Sequence, residues 1–532
     1  MAVKLRTLQT GTIENMFSVR TTLPGSVLLL ILLLFASACT TLGPDFQQPD
    51  TPRPAGWNQD GGEVLNTAAP EIAQWWTVFN DPALDSLVTT ASRQNLTLQI
   101  AGLRILEARA QLGIAIGNRY PQLQQLRGAA LSTRISENSP NFNPAIDKTF
   151  QDYQVGFDAG WELDFWGRFQ RGIEAADANL AASIADYDNA LITLTAEVAR
   201  SYVTIRTLEE RLRIARENIG LQEESLRIAT VRFRNGATTE LDVQQANTNL
   251  SDTRAQVPAL EKSLRQAKNA LSTLLGLPPS GLADLLGAPA EIPTAPASVA
   301  VGIPAELLRR RPDVQQAELL AASRSALIGV AQAELYPKFS LLGSIGFATS
   351  DTGSSSGGDL LDTDSLTFVA GPTFQWNILN YGRLKNNVRI QDARYQQAIV
   401  NYQDTVLTAY REAEDAMIGF MQSQIEAGFR DESSRAAARS VELANIQYRE
   451  GAVDFQRVLD SERALVQQQD LRTSIKGDIA LNLIAMYKAL GGGWELSAGK
   501  PVISEAIRKQ MEQRTDWGDL LMTGEQGESS LH

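Results

Sequence analysis

Residues 153–168 read YQVGFDAGWELDFWGR, and the alternation within them decides the fold. Tyr153, Val155, Phe157, Ala159, Trp161, Leu163 and Phe165 are apolar at every second position, while Gln154, Gly156, Asp158, Gly160, Glu162 and Asp164 between them are small or polar. Successive side chains of a strand point to opposite faces, so residues 153–165 are expected to form a strand with one apolar and one wet face. Its 13 residues suffice, at about 3.3 Å each, to cross a bilayer with the usual tilt. Trp166, Gly167 and Arg168 then turn the chain into a very long helical pattern. The design recurs in Leu366, Phe368, Ala370, Pro372, Phe374, Trp376 and Ile378, closed by Tyr381-Gly382-Arg383 and another long helix.

Working outward, each of these strands has a predecessor. A helix expected over 81–118 ends at Tyr120-Pro121 and is followed by a strand over 122–136, and a helix over 307–334 ends at Tyr336-Pro337 and is followed by a strand over 338–350. Landmarks measure the duplication: Tyr120 maps to Tyr336 at an offset of 216, whereas Trp161 to Trp376, Gly167 to Gly382, Arg168 to Arg383, Gly236 to Gly451 and Gly276 to Gly491 all give 215. Composition does not produce such agreement; the chain carries one unit twice.

Residues 168–235 contain no proline, enough for about 100 Å of helix. Leu191, Leu194, Val198, Tyr202, Ile205, Leu208, Leu212, Ala215 and Ile219 are spaced by a mean of 3.5 residues, the coiled-coil period. Gly236 turns the chain and residues 239–275 run back as helix, with a kink expected at Pro258; the second unit turns at Gly451 and returns to Leu490. Asp81 can cap a helix that starts at Pro82.

Composition excludes most chemistry. The lone cysteine is Cys39 and the lone histidine is His532, so disulfide frameworks, zinc clusters and histidine-based catalysis are ruled out and no enzymatic activity is expected. The net charge of −13 becomes −15 without residues 1–38, which hold Lys4, Arg6 and Arg20 against Glu14, and so acidic a chain argues against nucleic acid as a partner. No glycine-rich phosphate loop precedes a helix, so energy for any transport has to come from a partner.

Val27 begins a nine-residue apolar run, VLLLILLLF, followed by Ala36-Ser37-Ala38 and Cys39; it is too short to span and reads as a signal-peptide core, with Met1 and Met16 both open as starts. Prolines 44, 49, 52 and 54 make an extended tether, expected to lie along the body. The expected organisation is a signal peptide over 1–38, an anchored extended segment over 39–80, repeats over 81–276 and 305–493, an irregular linker over 277–304, and a loosely held tail over 494–532.

Four amphipathic strands cannot close a barrel, and open sheet edges are costly in hydrocarbon, so the chain has to oligomerise. Two copies would supply eight strands with a nearly filled interior, and three would supply twelve with a wet lumen. Trp161, Trp166, Trp376 and Tyr381 fit an aromatic belt at a membrane interface, or packing at the strand-to-helix corner.

The chain resembles the TolC-like outer-membrane efflux proteins, in the lipid-anchored branch that serves resistance-nodulation-division pumps. The resemblance rests on WWTVFNDPALDSL (75–87), the two Tyr-Pro breaks, RRRPDV (309–314), FRNGATTELDV (233–243), YREGAVDFQRVLD (448–460), YKALGGGW (487–494) and the lipoprotein-like Cys39. It implies an α+β membrane protein: a coiled-coil helical tunnel, plus four strands per chain in a homotrimeric twelve-stranded transmembrane barrel. It implies acylation of Cys39 as the only non-protein group, sorting to the outer membrane through Thr40, and partnership with a periplasmic adaptor and an inner-membrane pump. It also implies a gate at the periplasmic helix tips, at Gln456, Asp460 and Arg463; the last two stand three apart on one helix face and could equally form an intrahelical pair. The implied function is a passive exit duct for small toxic compounds. The alternatives are the outer duct of a type I protein secretion system and a structural coiled-coil envelope lipoprotein.

Overall fold

The computed structural model describes residues 41–51, 56–58, 64–66, 71–140, 142–145, 147–302, 309–352, 355–497 and 499–521. The chain divides in space into two units, and the division cuts across the duplication: residues 41–42, 121–170 and 332–380 form one unit, and residues 43–120, 171–331 and 381–521 the other. Each sequence repeat therefore contributes to both.

The first unit is a four-stranded antiparallel sheet of β1 (Leu123–Arg134), β2 (Thr149–Leu163), β3 (Lys338–Ser350) and β4 (Leu366–Gln375), in that spatial order. Its register assembles the apolar face in rows: Phe157 stands opposite Leu126 and Ile345, and Ile345 opposite Phe368; Trp161 stands opposite Leu341, and Leu341 opposite Pro372. Phe157, Leu126, Ile345 and Phe368 are exposed, as an unpartnered apolar face must be. Among the described residues, β1 and β4 pair on one side only, which leaves both edges of the sheet open. Proline is tolerated at Pro372 because β4 is an edge strand. β2 begins four residues earlier than the apolar alternation does, because Thr149 pairs with Arg134, and Phe165 lies beyond its end, edge-on to Phe339.

The second unit is helical. Asp81 caps α1 (Pro82–Gln94), its carboxylate accepting from the Ala83 and Leu84 amides at 2.9 and 3.4 Å. The single helix expected over 81–118 is two, because Asn95 leaves helical geometry (ψ 125°) to cap α2 (Leu96–Gly117). Its Oδ1 accepts from Leu98 N, and its Nδ2 donates to Leu274 O. The long helix α3 (Arg168–Arg234) is followed by α4 (Glu240–Leu274), which continues unbroken through Pro258. The second repeat supplies α5 (Pro312–Ala333), α6 (Arg383–Arg449) and α7 (Phe455–Ala489).

The repeat-related glycines do one job. Gly236 (φ +73°) and Gly451 (φ +78°) end α3 and α6 in the left-handed conformation, with Ala237 N on Arg232 O and Ala452 N on Gln447 O, both at 2.9 Å. This cap satisfies carbonyls that a helix end leaves open.

The main core collects the motifs. Trp75 stacks on Tyr487 with ring centroids 5.5 Å apart, and a Cβ on Gly492 would come within 2.8 Å of Ile72 O, so WWTVFNDP and YKALGGGW are two halves of one packing. In RRRPDV the working residue is Arg311, buried, which donates to Ala489 O at 2.9 Å, to both Asp313 oxygens at 3.0 and 2.6 Å, and to Glu412 at 2.8 Å.

Residues 43–51 and 56–58 run along the helices. Asp45 pairs with buried Arg171 at 2.7 Å, Gln48 reaches Glu318 and Tyr402, and Trp57 stacks on Tyr410 at 5.7 Å. The tail is not loosely held: through residue 521 it folds over α2, with α8 (Glu505–Glu512) and residues Ile503, Met511 and Leu521 buried against Leu106. The reason is a notch, since a Cβ at Gly102 would lie 2.1 Å from Val502 O.

Candidate functional site: helix tips and wet face

The two hairpins, α3–α4 and α6–α7, meet near their turns over a small apolar cluster that includes Ile228, Ala229, Ala246, Tyr448, Phe455 and Val458. Polar ties surround it. Arg232, from the last turn of α3, donates to Tyr448 O at 2.8 Å and Arg449 O at 3.1 Å, the end of α6, and its guanidinium lies 4.7 Å over the Tyr448 ring. A cation against the carbonyls that end a helix also meets the negative pole of its dipole. The Tyr448 hydroxyl donates to Asp242 of α4 at 3.3 Å, and Asp242 also accepts from Thr238. Burial pushes the Tyr448 phenol up, so it remains the donor at neutral pH.

The three expected gate residues lie on α7 within and just after the stretch that supplies Phe455, Val458 and Leu459 to this cluster, all exposed. They do not form the intrahelical pair that their spacing allows: Asp460 accepts from Gln456 Nε2 at 2.8 Å, and Arg463 Nε reaches across to Asn249 Oδ1 of α4 at 3.3 Å. Asn249 is shared, its Nδ2 donating to buried Glu462 at 3.0 Å, and Ser225 of α3 donates to the other Glu462 oxygen. Burial pushes the Glu462 carboxyl up, opposed by these two hydrogen bonds.

A seam invisible to apolar periodicity continues from there. Arg211, Asn218 and Ser225 stand seven residues apart on α3 and meet α7 through Asp470 (2.7 and 3.1 Å), Gln469 (2.7 Å) and Glu462. It is a heptad stripe written in polar residues, and such residues in a coiled coil specify register at a cost in stability. The apolar heptad is buried nearer the middle of α3, at Leu191, Leu194, Val198, Tyr202 and Ile205. The sequence signal for the polar stripe was the same period, read in the wrong class of residue.

The wet face of the sheet is also organised. Asp158 accepts from Gln125 at 3.1 Å and from Ser344, and faces Arg127 Nε at 3.3 Å. Asp152 accepts from Thr133 at 3.1 Å and from Ser350, and Glu162 pairs with Arg168 at 2.9 Å. Of the expected aromatic belt, Trp161, Trp376 and Tyr381 are exposed. Half-buried Trp166 donates to Pro337 O at 2.8 Å and lies 4.8 Å from the Tyr336 ring, while Trp376 donates to Leu335 O at 3.0 Å. Cys39 lies outside the described residues.

An amphipathic sheet with two open edges, and paired helical hairpins tied at their tips, fit an outer-membrane channel. The model of the outer membrane efflux protein family matches residues 87–277 and 303–492, one match per repeat, and the chain belongs to that family. Its relatives include the pyoverdine export outer membrane protein OpmQ of Pseudomonas putida, 30% identical over 89% of this chain and 98% of that one. The probable outer membrane lipoprotein SilC of Salmonella typhimurium is 31% identical over 88% and 98%. Among solved structures, the outer-membrane channel OprN superposes with a TM-score of 0.80 at 31% identity, covering 86% of this chain and all of that one. The chain is thus an outer-membrane efflux channel.

Proposed function

We propose that this chain is the exit duct of a tripartite efflux system, passively conducting small toxic compounds from periplasm to exterior and gated at its helix tips. Three copies close twelve strands into one barrel, and a periplasmic adaptor and an inner-membrane resistance-nodulation-division pump complete the assembly. The observation that carries the gate is the set of ties between hairpins that are distant in sequence: Arg232 to the end of α6, Tyr448 to Asp242, and Arg463 to Asn249. Separating the tips breaks polar contacts and exposes a cluster of few apolar side chains, a small cost beside that of the main core. Gln456 and Asp460 project beside these ties and, with Arg463, would form rings in the closed assembly.

The repeats over 81–276 and 305–493 are the units of this duct, and the segment from 39 is its anchor, acylated at Cys39. Trp161, Trp166 and Trp376, with Tyr381 further along the chain, serve as its interfacial aromatics. Relatives named for pyoverdine export and for cation efflux are matched over similar lengths, which supports a duct whose cargo is chosen elsewhere. In planar bilayers, Asp460→Ala with Arg463→Ala should raise the conductance of the purified protein; unchanged conductance would count against the gate. Mass spectrometry of the mature N-terminus tests the anchor, and an unmodified Cys39 would remove it.

A further inference from the structure

The wet face of the sheet does not hold its charges evenly. Asp158 is well shielded, its side chain only 14% exposed, whereas the Arg127 side chain is 55% exposed with its Nε directed at Asp158. The guanidinium therefore uses one edge on the carboxylate and presents the rest to the space in front of the sheet. The row across the strands from it is small: Arg127 stands opposite Gly156, Gly156 opposite Gly346, and Gly346 opposite Thr367. This glycine floor is enforced, because a Cβ on Gly346 would sit 2.6 Å from Val155 O. A neighbouring copy cannot neutralise the arginine from its β4, whose wet-face residues Thr367, Val369, Gly371, Thr373 and Gln375 are all uncharged.

We propose that Arg127, braced by Asp158 and opposed by the carboxylate of Asp152 on the same face, tunes the charge preference of the barrel lumen, and that it contacts carboxylate- or phosphate-bearing solutes on their way out. The inference rests on the channel reading. Twelve strands about 4.8 Å apart and tilted by about 40° enclose a barrel about 24 Å across. Three guanidinium groups reaching inward stand within a Debye length, about 10 Å at 0.1 M salt, of the axis. Coulomb's law in water with that screening, summed over the three copies and the opposite signs of the two ions, makes each substitution worth about a fivefold change in the chloride-to-potassium permeability ratio.

The test is the reversal potential of the full-length protein in planar bilayers under a potassium chloride gradient. Arg127→Ala bares Asp158 and should shift the ratio about fivefold toward potassium; Asp158→Asn releases Arg127 and should shift it about fivefold toward chloride; Arg127→Lys should stay near wild type. Ratios that stay put in both charge-changing variants, or that move in the same direction, overturn the assignment while leaving the channel intact. A wild-type protein that forms no conducting unit overturns the channel reading, and this inference with it.

Discussion

Arg232→Ala is the sharpest perturbation of the tips. The guanidinium makes hydrogen bonds of 2.8 and 3.1 Å to the last carbonyls of α6 and stands over the Tyr448 ring, while α6 keeps its own glycine cap at Gly451. Charge-assisted hydrogen bonds contribute about 1.5–3 kcal/mol each when well buried, and a cation over an aromatic ring at a partly exposed site about 0.5–1 kcal/mol. The site is partly open, so about 2 kcal/mol in total is a reasonable estimate of what each copy loses. Because α6 retains its cap, most of that loss falls on the tie between hairpins rather than on helix stability. At about 1.4 kcal/mol per factor of ten, the open-to-closed ratio should rise about 30-fold per copy. Single-channel recording of the purified protein reads this directly as open-state occupancy. Arg227→Ala is the control, because Arg227 pairs at 2.7 Å with Glu224 of its own helix, and occupancy should not change. If Arg232→Ala opens no more often than Arg227→Ala, the tip ties do not hold the duct shut.

Two further outcomes concern the body. Arg311→Ala should destabilise the fold by about 1–3 kcal/mol, because it leaves the Ala489 carbonyl without its donor and removes the cation shared by half-buried Asp313 and exposed Glu412, and Arg311→Lys should recover only part of that in chemical denaturation. Asp188 is pushed from the usual 3.8 up to about 6, chiefly by burial, against a hydrogen bond from Ser497 and with repulsion from Glu495. The folded state therefore binds this proton more tightly than the unfolded chain does. The stability it contributes is present below about pH 4 and lost as pH rises through about 6. Asp188→Asn should remove that decline and gain about 1–2 kcal/mol above pH 6 after allowance for solvent screening, while pH-dependent melting curves that parallel wild type would refute it.

The fold was legible where one local pattern sufficed. The period of two over residues 153–165, the period of 3.5 along α3 and the three pairs of turn glycines at an offset of 215 each reflect a constraint that a short segment feels by itself. Where a polar residue has a choice of partners, the pattern misled. Asp460 and Arg463 have the spacing of a helix pair, yet Arg463 turns to Asn249, 214 residues away, and Asp460 to Gln456. Asn95 carries no break in apolar periodicity, and its capping role shows only once Leu274 O lies beside it. The tail looked too polar to be ordered because the notch at Gly102 that receives it belongs to another helix.

The sequence alone established two copies of a helix–strand–strand–helix–helix unit, a sheet that cannot close by itself, and the absence of histidine chemistry. It could do so because burial of apolar surface is periodic and indifferent to which apolar partner is met. Only the tertiary structure decided which polar groups face one another: Arg232 with the end of α6, Arg211, Asn218 and Ser225 with α7, and Arg127 with Asp158. A hydrogen bond needs its partner within about 3 Å and near a straight line, and a chain folded back over 200 residues meets that condition only in three dimensions.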